Sequence, residues 1–184
     1  MPQRLLNKVA VVTGADGELG RAVAERFLSE GAKVVAFGND RARLDELTAR
    51  AAARVLAVEG DVTRGADLEA LAATVARRFG GVDVLVPAAE IQRHASLAES
   101  TPEVVSEIFA VNFQGTIETL RVFERHLNAG ASIVVVSAAP PQMHGPGLGP
   151  FLASKAAVAS LARALVAEVS PRRIRINCVA PAMA

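Results

Sequence analysis

Six short apolar runs rich in β-branched residues recur along the chain, separated by longer stretches, most with helical spacing, and this alternation confines the fold more than any other feature. The runs are KVAVVT (8–13), KVVAF (33–37), RVLAV (54–58), VDVLV (82–86), SIVVVS (132–137) and RIRINCV (173–179). Between them, Leu68, Leu71, Ala72, Val75 and Phe79, and again Ala156, Ala159, Leu161, Ala162 and Leu165, repeat near the period of a helix. Continuously apolar strands separated by helices have both faces covered, because each parallel crossover lays a helix on the sheet. The expected fold is α/β, a doubly wound parallel sheet of about six strands with helices on both faces. No linker, charge block or internal repeat divides the sequence, so its 184 residues are read as one domain.

Composition narrows the partners. Apolar residues make up 51% of the chain and charged residues 21%, enough burial to offset the entropy of ordering. The formal net charge is +1 and the only aromatic residues are seven Phe, so neither a basic footprint nor a base-stacking surface for nucleic acid is visible. The single cysteine, Cys178, can close no disulfide within the chain and has no companion for a Cys-based metal site; it reads as a buried structural thiol in a reducing compartment. The N-terminal MPQRLLNKVAVVTG lacks a long apolar core and a small-residue cleavage site. No apolar run approaches the length of a membrane span, and a cytoplasmic protein without membrane contact is expected. A long helix near 102–127 carries two apolar stripes, Val104, Ile108 and Val111, and Phe109, Phe113, Ile117 and Leu120. One should cover the sheet. The second either meets another subunit, in a homo-oligomer or with a partner chain, or is buried within its own domain.

After the first strand, TGADGELG (13–20) opens a helix carrying Val23, Phe27 and Leu28. A glycine-rich turn from strand to helix lets backbone amides and a helix N-terminus meet a pyrophosphate, with glycine wherever a side chain would block the approach. On this feature alone an ordinary tight strand-to-helix turn remains open.

Taken with GDVT (60–63), VDVLVPAAE (82–90), VNFQG (111–115), VVVSAA (134–139), FLASK (151–155) and RINCVAP (175–181), the loop makes the chain resemble the short-chain dehydrogenase/reductase family across nearly its whole length. The resemblance implies a Rossmann-like domain that binds NAD or NADP, with substrate chemistry at the carboxyl ends of the strands. It assigns cofactor contacts to Thr13, Gly14, Gly17, Leu19, Gly20, Asp61, Val62, Ala89 and Lys155. Asp61, standing before a helix, is equally a capping residue. The family's catalytic asparagine and lysine become Asn112 and Lys155. No metal site is implied.

The same alignment places unexpected residues at the chemical positions. The family's TGxxxGxG puts Glu18 at the middle glycine, with Gly17 one place early, and a carboxylate there would crowd and repel a pyrophosphate unless the loop shifts and turns it outward. The NNAG segment after the fourth strand is Pro87, Ala88, Ala89 and Glu90, which removes two side-chain amides and one backbone N–H and adds a carboxylate. After the second strand, Gly38 falls where an acid would favour NAD and Asn39 where an arginine would favour NADP, leaving Asp40 and Arg41 as displaced candidates and the preference unread. The proton-donating tyrosine is Phe151, and ungapped spacing puts Ala138 at the serine. Ser137, one residue earlier, would serve if 138–147 holds a one-residue insertion; otherwise it is a strand-end hydroxyl. His144, His94 and Glu90 are the other replacement proton donors, none with a partner at recognisable spacing. Lys155 is then either a ribose-binding lysine that has lost its tyrosine or a cation paired with Glu90 or Glu18. Family members normally continue beyond the sixth strand through a substrate loop, a helix and a seventh strand, which this chain is expected to lack. The expected function is that of a dehydrogenase-like scaffold, partner subunit or weak nucleotide sensor with little or no oxidoreductase activity and weak or lost cofactor binding. The alternatives are an active NAD(P)-dependent alcohol or carbonyl oxidoreductase using Asn112, Lys155 and Ser137, His144 or water, and non-redox chemistry on the same fold.

Overall fold

The computed structural model describes residues 3–138 and 145–181. Strands and helices alternate as β1 (Val9–Thr13), α1 (Glu18–Ser29), β2 (Lys33–Gly38), α2 (Arg41–Ala51), β3 (Val55–Glu59), α3 (Gly65–Phe79), β4 (Val82–Pro87), α4 (Pro102–Phe109), α5 (Gly115–Phe123), β5 (Leu127–Val136), α6 (Gly149–Val169) and β6 (Arg175–Val179). All six expected strands form one parallel sheet in the order β3-β2-β1-β4-β5-β6. Chain order reverses between β1 and β4, and the crevice at their carboxyl ends is where open α/β sheets take ligands.

The two sheet faces are sorted by strand alternation. Val9 and Val11 of β1 join Val35, Phe37, Leu71, Phe123, Ile133 and Val158 in a core under α3, α5 and α6. Ala10 and Val12 join Val34, Ala36, Leu44, Leu47 and Val86 in a core under α1 and α2. On α3, Leu68, Leu71, Ala72 and Val75 are buried as their spacing predicts, with Phe79 half-buried at the edge.

Three expectations need correction. On α6 the buried face is Phe151, Ser154, Lys155, Val158, Ala162 and Val169, whereas Ala156 is exposed; alanine lies all round this helix, so apolar spacing does not fix its phase. By length and apolarity alone the helix over Gly149–Arg172 is long enough to cross a membrane. Here it packs on β5 and β6 and carries a lysine inward. Cys178 is exposed, because β6 is the outermost strand of the described sheet and most of its residues face solvent.

The long helix near 102–127 forms, interrupted by a π-helical turn over Ala110–Gln114. Ile108 and Leu120 are buried, Val104, Val111, Phe109 and Phe113 are half-buried, and Ile117 is exposed.

One carboxylate ties the amino ends of three strands. Asp83 Oδ2 accepts from the Val9 N–H at 2.9 Å, while Oδ1 accepts from Lys8 Nζ at 3.3 Å and Asn128 Nδ2 at 3.2 Å. Burial opposes its ionisation, but these three donors outweigh that and hold its pKa below the ordinary aspartate value. A depressed folded-state pKa adds stability above the unfolded value of about 3.9 and loses it as pH falls through the folded value. Urea unfolding at pH 7 should therefore show Asp83→Asn less stable by about 1–2 kcal/mol. Below pH 4 the difference should shrink; a constant difference would exclude this role.

Candidate dinucleotide and catalytic site

Past Thr13 the chain turns at Gly14, whose φ of +65° is left-handed. A Cβ on Gly14 would lie 2.5 Å from Ala89 Cα, and one on Gly20 would lie 2.1 Å from the Gly14 carbonyl oxygen. The loop is thus pressed against the segment following β4 with no room for side chains between them. α1 begins at Glu18 behind Gly17, which offers no side-chain cap, so the first-turn N–H groups are left for whatever enters the crevice. Such a bare cradle at a helix N-terminus fits a pyrophosphate.

A cleft of about 1280 Å³ opens at this point. Every expected cofactor position except Thr13 and Lys155 lies on its wall. Glu18 is there too, exposed in the first turn of α1. Thr13 Oγ1 is buried with no hydrogen-bond partner among the described residues. Its register neighbour on β4 is Pro87, which has no N–H to give. Asp61 Oδ1 accepts from both the N–H and Oγ1 of Thr63 at 2.8 Å, closing the turn before α3 while the residue still borders the cleft.

Of the displaced candidates after β2, Asp40 caps α2 by accepting from the Arg43 N–H at 3.1 Å, and Arg41 holds Asp45 at 2.9 Å. Asp16, which sequence reasoning passed over, reaches across from the glycine loop: its Oδ2 accepts from the N–H groups of Asn39 and Asp40, each at 2.8 Å. An aspartate in the loop paired with a glycine where β2 ends was the available signal.

Asn112 sits buried in the π-helical turn, a kind of defect frequent at functional sites. Its Oδ1 accepts from the Ile91 N–H at 2.8 Å, and its Nδ2 donates to the Ile91 carbonyl and to Ser154 Oγ, both at 3.0 Å. Ser154, also missed from sequence, passes its own proton to the Phe151 carbonyl at 2.7 Å. Asn112 therefore fastens the loop after β4 to α6.

Lys155 is 3% exposed and its Nζ lies 2.6 Å from Glu90 Oε2. Of the two partners expected, Glu90 is the one it meets. The ammonium also stands 5.9 Å from the centre of the Phe151 ring, a cation–π contact where a phenol hydroxyl would otherwise be sought. Glu90 borders the cleft, whereas Lys155 is buried and not on its wall, its ammonium held by the Glu90 carboxylate. Ser137 is buried and donates its hydroxyl proton to the Lys155 carbonyl at 3.0 Å, with Ala138 half-buried beside it. His94 is exposed against Gln92, and His144 lies outside the described residues.

A family model described as short chain dehydrogenase matches residues 8–184. Dehydrogenase/reductase SDR family member 4 of Sus scrofa is 34% identical over 97% of this chain, which spans 66% of that protein's length. Among solved structures, a short-chain dehydrogenase/reductase from Brucella melitensis, described as a glucose/ribitol dehydrogenase, superimposes with a TM-score of 0.93 at 31% identity, covering 100% of this chain and 78% of its own. A short-chain dehydrogenase/reductase from Burkholderia phymatum, crystallised in complex with NAD, gives a TM-score of 0.89 at 33% identity, covering 97% of this chain and 66% of its own.

Proposed function

We propose, from the premise that this chain belongs to the short-chain dehydrogenase/reductase family, that it binds a nicotinamide dinucleotide and responds to it as a sensor or partner subunit, with little turnover of alcohols or carbonyls. The family's use of NAD(P), and the NAD complex of a relative, support the nucleotide. The side-chain-free cradle of Gly14 and Gly20 supports its seat. A bound nicotinamide would supply or accept hydride; the matching proton must come from the protein.

The observation that carries the reading is the pair between Lys155 and Glu90. The lysine that should face the cofactor ribose is buried and engaged by a carboxylate, and the ring beside it has no proton to exchange. The competing reading, an active oxidoreductase using Ser137, is weakened because the one hydroxyl proton of Ser137 is already donated to the Lys155 carbonyl. Of the stripe Phe109, Phe113, Ile117 and Leu120, Leu120 is buried and Phe113 packs against the core, so association with a second subunit through the 102–127 helix rests on the exposed Ile117 and half-buried Phe109.

Calorimetric titration with NAD, NADH, NADP and NADPH tests this directly. Wild type should bind at least one of them, and Glu18→Gly should bind about tenfold tighter, because an exposed carboxylate beside a pyrophosphate costs on the order of 1 kcal/mol per charge. Turnover of a carbonyl and alcohol panel by wild type with either cofactor would defeat the sensor reading. Failure of both proteins to bind would defeat the nucleotide.

A further inference from the structure

We infer that Asp16 is the residue that reads the adenosine ribose and sets a preference for NAD over NADP, a proposal that rests on the dinucleotide reading above. In doubly wound folds an acid at the end of the second strand accepts from the ribose 2′-hydroxyl, and a basic group nearby takes the 2′-phosphate of NADP. In this chain the end of β2 is Gly38, which has no side chain to offer. A Cβ built on Gly38 would fall 2.2 Å from Asp16 Oδ1. The carboxylate therefore occupies the place where a side chain from position 38 would begin, delivered instead from the glycine loop after β1. The glycine at 38 is what makes room for it.

The orientation of Asp16 is fixed rather than incidental. Oδ2 is held by the N–H groups of Asn39 and Asp40, and the Asp16 carbonyl accepts from Arg43 Nη1 at 2.9 Å. Oδ1 takes no part in those bonds, and both Asp16 and Gly38 border the cleft. The nearby cations are engaged: Arg43 holds the Asp16 carbonyl and lies 3.7 Å from Asp40 Oδ2, and Arg41 holds Asp45. A ribose 2′-hydroxyl would meet an acceptor here, whereas a 2′-phosphate would meet the carboxylates of Asp16 and Asp40 at close range.

The test is the ratio of NADP to NAD dissociation constants, measured by calorimetry on wild type, Asp16→Asn and the double variant Asp16→Ser with Gly38→Asp. General damage to the loop weakens both nucleotides together and leaves the ratio unmoved. Wild type should favour NAD by about tenfold or more, as expected when a charged hydrogen bond is exchanged for a repulsion. Asp16→Asn keeps one oxygen for the two N–H groups but turns the other position into a donor, and should bring the ratio to within about threefold of unity. The double variant returns an acid to the end of β2 in the space that Asp16 vacates, and should restore the preference. A wild type that binds both nucleotides equally, or NADP tighter, overturns the assignment, as does a preference that survives in Asp16→Asn. A folded double variant that stays indifferent overturns it too, by showing that Asp16 acts through loop shape. Binding of neither nucleotide, in wild type or in Glu18→Gly, removes the dinucleotide reading itself, an outcome distinct from binding without preference.

Discussion

Phe151→Tyr combined with Glu90→Gly is expected to raise the rate of nicotinamide-linked carbonyl reduction by about 10²–10⁴-fold over wild type, the usual worth of a positioned proton donor. The Phe151 ring already lies one helical turn from Lys155 on the buried face of α6, with the ammonium 5.9 Å from its centre. A hydroxyl on that ring would be acidified by the ammonium, since a nearby positive charge favours the phenolate. That benefit depends on freeing the ammonium, which Glu90 holds at 2.6 Å. Phe151→Tyr alone thus adds a proton donor whose lysine is engaged elsewhere, and Glu90→Gly alone uncovers a lysine with no acid to assist. The two changes should be strongly non-additive, with a coupling that a double-mutant cycle reads directly. Initial rates of NADH and NADPH consumption across a carbonyl panel, measured on wild type, both single variants and the double, make the comparison. A double variant that binds dinucleotide but turns over no faster than wild type would show that the proton is not what the site lacks.

The sheet was legible because Val9–Thr13, Lys33–Gly38 and the other strands are short, β-branched and bounded by polar or glycine punctuation, so their type and order survive any uncertainty about packing. Helix α6 was legible as a helix but not in phase, since alanine on every side leaves the buried face to be chosen by what it meets on β5 and β6. The lysine pairing was half legible. Opposite charges at Lys155, Glu90 and Glu18 named the options, and the loop pinned by Asn112 to Ile91 chose between them by bringing Glu90 to the lysine. The π-helical turn at Ala110–Gln114 left no sequence mark, because one extra residue in a hydrogen-bond ladder does not alter composition. Asp16 was faintly legible, in an aspartate in the loop and a glycine where β2 ends, but its partners Asn39 and Asp40 lie on another segment, and only the pairing of β1 with β2 brings the two together.

Gly14→Ala is expected to cost roughly 2–6 kcal/mol, the sum of backbone strain and overpacking against an immovable neighbour. The φ of +65° is the smaller part. The larger is that the new Cβ would stand 2.5 Å from Ala89 Cα, 2.6 Å from Ala89 N and 2.8 Å from the Ala88 carbonyl carbon, three backbone atoms with no rotamer by which to yield. Gly80 separates the two contributions, having a φ of +81° and nothing within 4 Å of its added Cβ. Gly80→Ala should therefore cost only the backbone strain of its positive φ, about 1–3 kcal/mol. Urea unfolding of both variants measures the difference, and equal losses would mean that the contact with Ala89 is soft. If the contact is hard, its consequence runs into the site. Ala89 precedes Glu90, so pushing the segment away from Gly14 moves the carboxylate that pairs with Lys155, and the cradle and the ion pair are disturbed together. Loss of dinucleotide binding in Gly14→Ala, with binding retained in Gly80→Ala, is the result this coupling requires.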